Sequence, residues 1–179
     1  MKERLKKIYN KKQLCCFYYD ENDTETFLIG WIISMDEEFF IIECINMGGY
    51  SNGFVCRLID SVIKVESCNK YLQSIEKLFN LNKQKRSNKF YDAKNCLKEI
   101  IDYVVKNRKV AFVELCESSR IDSVGYIKAY KENDEITILT INDIGELDDG
   151  EVYLDYERIS AITIDSEYQV RLEKIQKNV

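Results

Sequence analysis

Four groups of residues in this chain carry side chains able to do chemistry. Asp36-Glu37-Glu38 sets three carboxylates in a row, and Glu146 with Asp148-Asp149-Gly150 sets three more around a turn. Either run is a start for a divalent-cation site, which needs several carboxylate and carbonyl oxygens. Cys15-Cys16 is a pair of adjacent thiols, with redox chemistry in reach. Lys6, Lys7, Lys11 and Lys12, then Lys83, Lys85 and Arg86, supply the cations that grip phosphates. Each group also has a plainer account. Carboxylates favour turns, and neither acidic run has a second ligand cluster beside it. Alternate strand residues point to opposite faces, so at least one of the paired cysteines belongs to a core. A charge run is usually a solvated helix face or linker. Gly48-Gly49 and Gly145 fit no phosphate-loop spacing. No catalytic, cofactor-binding or metal-ligating residue is therefore assigned, and no cofactor is expected. The seven cations stand as the candidate nucleic-acid contacts.

Composition narrows the chemistry further. The 179 residues include no histidine, which removes the commonest general base, metal ligand and pH switch together. Serine–histidine and cysteine–histidine nucleophile systems are excluded with it. The seven cysteines show no Cys-x-x-Cys spacing, and an odd count points to reduced thiols. No window is apolar enough for long enough to span a membrane, and the charged start Met1-Lys2-Glu3-Arg4 has no signal-type apolar run behind it. A cytoplasmic protein without a membrane partner is expected. Net charge is −5, divided unevenly: residues 1–89 carry 14 basic against 12 acidic side chains, and residues 90–179 carry 12 against 19. Proteins that live on phosphate backbones usually show the opposite overall sign.

The elements that must position these residues are written twice. Displaced by about 95 residues, Gly30-Trp31-Ile32 falls on Gly125-Tyr126-Ile127, Ile45-Asn46 on Ile141-Asn142, and Gly49 on Gly145. Gly53-Phe54-Val55 meets Gly150-Glu151-Val152, Val62 and Val65 meet Ile159 and Ile162, and Glu76-Lys77-Leu78 meets Glu173-Lys174-Ile175. A duplicated β-rich domain follows, with a first copy over residues 1–80, a linker over 81–91 and a second copy over 92–179. Domains of roughly 80–90 residues bury a modest share of their surface.

In the first copy, Leu5, Ile8 and Tyr9 at helical spacing predict a short amphipathic helix over 2–12. Strands are predicted at 14–19, 27–35, 39–45, 54–58 and 62–66, then a helix capped by Asn69. Gly30 lies inside a strand, where glycine marks a sharp bend or the close approach of another backbone. Gly125 repeats it. Residues 80–90 are polar and non-periodic, which places the linker there. Asp92 reads as the N-cap of a longer, more apolar and more deeply buried counterpart of the first helix. Strands recur at 110–115, 123–130, 135–141, 151–156 and 159–164. Ser166 and Gln169 resemble a capping box opening a last helix over 167–176.

This order, a helix then five strands with a bend glycine in the second, resembles the Sm-like family, a small and strongly bent SH3-like barrel. The first copy carries an Sm1-like string: Gly30-x-Ile32-x-x-Met35-Asp36-x-x-Phe39-Phe40-Ile41. Phe40 stands where the family has an RNA-contacting asparagine. The second copy keeps Gly125-x-Ile127-x-x-Tyr130 and has Lys131 in place of the aspartate. The family's Arg-Gly before the last strand is replaced by Leu58-Ile59 and Asp155-Tyr156. The resemblance implies two tandem five-stranded bent barrels, each flanked by an N-terminal and a C-terminal helix. It also implies assembly by edge-strand pairing, between the two barrels or between two copies of the chain as a homodimer. The expectation is a non-enzymatic binding or assembly module that recognises protein, itself or another. The alternative is an RNA-binding protein that uses its basic first half.

Overall fold

The computed structural model describes the chain apart from residues 24, 117–121, 132–133, 143 and 178–179, and apart from the side chains of residues 149 and 177. It divides into two compact units, Met1–Cys96 and Leu97–Val179. The first contains α1 (Lys2–Lys11), β1 (Leu14–Tyr18), β2 (Leu28–Met35), β3 (Phe39–Ile45), β4 (Ser51–Leu58), β5 (Lys64–Ser67) and α2 (Lys70–Leu81). The second contains β6 (Val110–Leu115), β7 (Ser123–Lys131), β8 (Glu135–Ile141), β9 (Leu147–Asp155), β10 (Ile159–Ile164) and α4 (Glu167–Lys177), preceded by α3 (Cys96–Asn107). The chain is mainly antiparallel β with four helices.

Strands in the first unit run in the order β5-β1-β2-β3-β4, and in the second β10-β6-β7-β8-β9. These are open sheets, not the closed barrels anticipated. Among the described residues no ladder joins β5 to β4 or β10 to β9. β5 is four residues long and pairs with β1, from Cys15 opposite Ser67 to Tyr18 opposite Lys64.

The duplication holds at the level of single hydrogen bonds. In β2–β3 the register slips between Ile32 and Ser34, and in β7–β8 between Ile127 and Ala129. The next ladders slip at the same place, between Glu43 and Ile45 and between Leu139 and Ile141. A Cβ at Gly30 would overlap the carbonyl oxygen of Glu43, and one at Gly125 that of Leu139. The repeated glycine therefore answers a close backbone approach, as its strand position implied. Both first helices end on a left-handed residue, Lys12 at φ 52° and Arg108 at φ 48°. Both last helices follow one, Cys68 at φ 61° and Asp165 at φ 56°.

The caps behave as the sequence predicts. Asn69 Oδ1 accepts from the N–H of Leu72 at 2.8 Å. Ser166 and Gln169 close the reciprocal box, each accepting from the other's backbone N–H at 3.4 and 2.9 Å. One side of the first sheet packs Leu14, Cys16, Trp31 and Ile45 against Leu72, Ile75 and Phe79 of α2. The second sheet repeats this with Val110, Phe112 and Ile141 against Leu172 of α4. Each such buried side chain contributes about 1.5–3 kcal/mol relative to exposure. In α3, Leu97, Ile100, Ile101 and Val104 are buried, in line with its apolar face.

One expectation fails at the junction after α2. Asp92 is not a helix cap: it has φ 58°, and α3 begins only at Cys96. The stretch after α2, read as the linker, folds back on the first unit. The N–H of Ser87 donates to Glu43 Oε1 at 2.6 Å, Phe90 packs edge-on to Phe54 at 5.2 Å, and Ala93 accepts from Ser34 Oγ at 2.9 Å. Those anchors lie on β2, β3 and β4, far away in sequence.

Candidate functional site

The folded-back segment turns a buried carboxylate and two cations into one feature of the first unit. Glu43 sits in the otherwise apolar β3 and is 2% exposed. Its counterpart in β8 is Leu139, which pairs with β9 as Glu43 does with β4. Burial pushes the Glu43 carboxyl up, opposed by the Ser87 N–H and the Arg86 guanidinium. Arg86 Nε lies 3.5 Å from Glu43 Oε2, an ion contact and not a hydrogen bond; both atoms are buried without one. The guanidinium lies 5.0 Å from the centre of the Trp31 ring, which is itself buried.

Beside this pair opens a cleft of about 200 Å³, lined by Tyr9, Asn10, Lys12, Ile32, Arg86 and Tyr91. Lys12 reaches it because the left-handed turn at the end of α1 swings the chain, and its ammonium stands 5.9 Å over the Tyr91 ring. Tyr9 donates from its hydroxyl to Asp92 Oδ1 at 2.8 Å. Burial, then that carboxylate, pushes the Tyr9 phenol up to about 12, so it stays a neutral donor. The arrangement offers two cations, two phenol rings and one side-chain amide. That set binds anions and flat rings; it has no general base aimed at a nucleophile.

Of the seven predicted cations, the structure brings Lys12 and Arg86 together. Lys6 faces Glu3 on its own helix at 3.7 Å, while Lys7, Lys11, Lys83 and Lys85 are exposed and make no ion pair among the described residues. Sequence reasoning missed Tyr9, Tyr91, Ile32 and Glu43 as site residues. A lone acid within Phe39-Phe40-Ile41-Ile42-Glu43-Cys44-Ile45 was the available signal, since a buried carboxylate needs partners. Arg57 was missed as well; it is 3% exposed on β4 and stacks on Tyr19 at 3.8 Å.

The acidic runs take their plain roles. Asp36 Oδ1 accepts from the N–H groups of Glu38 and Phe39, making the turn. Asn142 Oδ1 organises the later loop by accepting from Ile144 and Glu146, as Asn46 does from Gly48 and Tyr50. The side chain of Asp149 lies outside the described residues. Among the described residues, no three acids or cysteines come together as metal ligands. Cys15 and Cys16 are both buried, and burial pushes their thiols up to about 12 and about 11, away from the reactive thiolate.

A second surface lies in the other unit. β9 is the outer strand of its sheet, laddered to β8 among the described residues. It shows Leu147 at 47% and Tyr153 at 61% exposure, with Ile144 at 65% just before it. Glu151 accepts from the Tyr153 hydroxyl and pairs with Lys128 on β7.

No helix among the described residues is long and apolar enough to cross a membrane. No protein-family model, curated protein or solved structure matches the chain.

Proposed function

We propose that this chain is a non-enzymatic assembly module of tandem Sm-like type that recognises protein through an edge strand. The fold reading rests on the Sm1-like string at Gly30–Ile41 and on a helix followed by five strands in each unit, with a bend glycine in the second strand. The function rests on one observation. β9 offers nine residues of strand with one laddered side, and exposes Leu147 and Tyr153. An outer strand is a template for another chain, and β-augmentation draws its affinity from main-chain hydrogen bonds. The partner is a strand of a second copy, giving a homodimer, or an edge of another protein. Absence of histidine and seven free cysteines support a non-catalytic role in a reducing, cytoplasmic setting.

Sedimentation across a wide concentration range tests this, alongside nuclease-treated co-purification from the native cell. Concentration-dependent dimerisation, abolished by Tyr153→Lys, is the expected result. A wild-type chain that stays monomeric and brings down no protein after nuclease treatment would overturn the reading.

A further inference from the structure

We infer that the cleft beside Arg86 is a site for a single nucleotide unit, with the phosphate on Lys12 and Arg86 and the base against the rings of Tyr9 and Tyr91. The site is independent of the edge strand: all its residues lie in the first unit.

Four observations carry the assignment. Lys12 makes no ion pair among the described residues, so its charge is available to a ligand. Arg86 lines the cleft and is held there by Glu43, 3.5 Å from its Nε, and by the Trp31 ring, which together fix the guanidinium. Preorganised cations of this kind lose little freedom on binding. Tyr91 is half exposed and Tyr9 is fixed by Asp92, so the two rings offer stacking faces, which every base can use. Asn10 adds an amide with both donor and acceptor for a base edge.

The test titrates the full chain with adenosine monophosphate, a short single-stranded oligoadenylate RNA and inorganic phosphate. Trp31, the single tryptophan of the chain, lies behind Arg86 and reports ligand binding by its fluorescence. Calorimetry gives the affinity independently. Saturable binding of the nucleotide or the RNA is expected. Loss of about tenfold should follow from Tyr91→Ala, as expected for one stacked base. A similar loss should follow from Lys12→Asn, which removes the charge while suiting the left-handed backbone there. Equal affinity for the nucleotide and the RNA identifies a free nucleotide as the ligand. Tighter RNA binding, with a log–log salt slope of about −0.7 for the one phosphate neutralised, identifies a strand. The inference fails if neither ligand saturates, if inorganic phosphate binds as well as the nucleotide, or if both variants keep full affinity. Arg86→Ala is a poor first variant because it strands the Glu43 carboxylate.

Discussion

The two units share a scaffold and differ in what they bury at equivalent places. Where the first unit has Gln13, donating to Cys68 Sγ at 3.0 Å, the second has Lys109 paired with Asp165 at 2.8 Å and Glu173 at 3.1 Å. Where the first has Glu43 within β3, the second has Leu139 within β8. Each unit thus carries a buried acid, but against different segments. In the first it anchors a chain segment that returns from α2. In the second it ties α4 to the start of β6, since Glu173 also accepts from the Val110 N–H at 3.1 Å. The repeated positions set the backbone, and the divergent positions decide what docks on it. Burial pulls the Lys109 ammonium down, but hydrogen bonds to Asp165 and Glu173 more than reverse this, so the ammonium is held well above the usual lysine range.

The largest expected effect comes from breaking what the units share. Gly30→Ala and Gly125→Ala should each destabilise by at least about 3 kcal/mol, because the added carbon meets a backbone carbonyl that cannot move away cheaply. Denaturant unfolding measures this; a cost below about 1 kcal/mol at one site would show that the two bends are not equivalent. Next comes a position the units do not share. Glu173→Ala should cost about 2–3 kcal/mol by stranding the buried Val110 N–H and removing one of the two carboxylates that hold Lys109. Its counterpart Glu76 is exposed on α2, and Glu76→Ala should stay within about 0.5 kcal/mol. Equal effects would erase the contrast. The caps follow: Asn69→Ala and Ser166→Ala should each cost about 1 kcal/mol, measured the same way.

The smallest effect is one of pH. The Glu43 carboxyl is raised in the folded chain, so the native state holds this proton more firmly than the unfolded one. Its contribution is full below the unfolded value of about 4.3 and is lost as pH rises through the native one. The stability of the wild type relative to Glu43→Gln should therefore increase as pH falls from neutrality. A difference that stays flat, or changes in the other direction, would show that Arg86 fully compensates the burial.

Much of the fold was legible because it was written twice. Strands β3, β6, β8 and β10 begin and end where alternation and the repeat place them, and both caps were visible as Asn69 and Ser166. β9 was read four residues short. Its opening, Leu147-Asp148-Asp149-Gly150, has no apolar period, and it becomes strand because Ile141 on β8 pairs with Leu147. The closed barrel was an import from resemblance, and the strand order among the described residues is open. The fold-back of residues 87–93 is illegible in the sequence for the same reason that the cleft is half hidden. Its structure is decided by Glu43, Phe54 and Ser34, and no local pattern encodes partners that distant. Lys12 and Arg86 were visible as cations by type alone. Tyr9, Ile32 and Tyr91 looked like ordinary core or loop residues until the fold placed them around one space.

The return of the fifth strand to the first has a kinetic meaning. β2, β3 and β4 follow one another by tight connections, as do β7, β8 and β9, and hairpins of that kind close in microseconds. Pairing Lys64 with Tyr18 instead joins residues about 45 apart, at a closure entropy of about 3 kcal/mol. The three-stranded meander of each unit is therefore expected to form early, and the strand that returns to it, with the helix behind, to arrive last. Those late elements are also the first to open, so α2 and the segment folded back behind it would lose amide protection together while the meander remains intact.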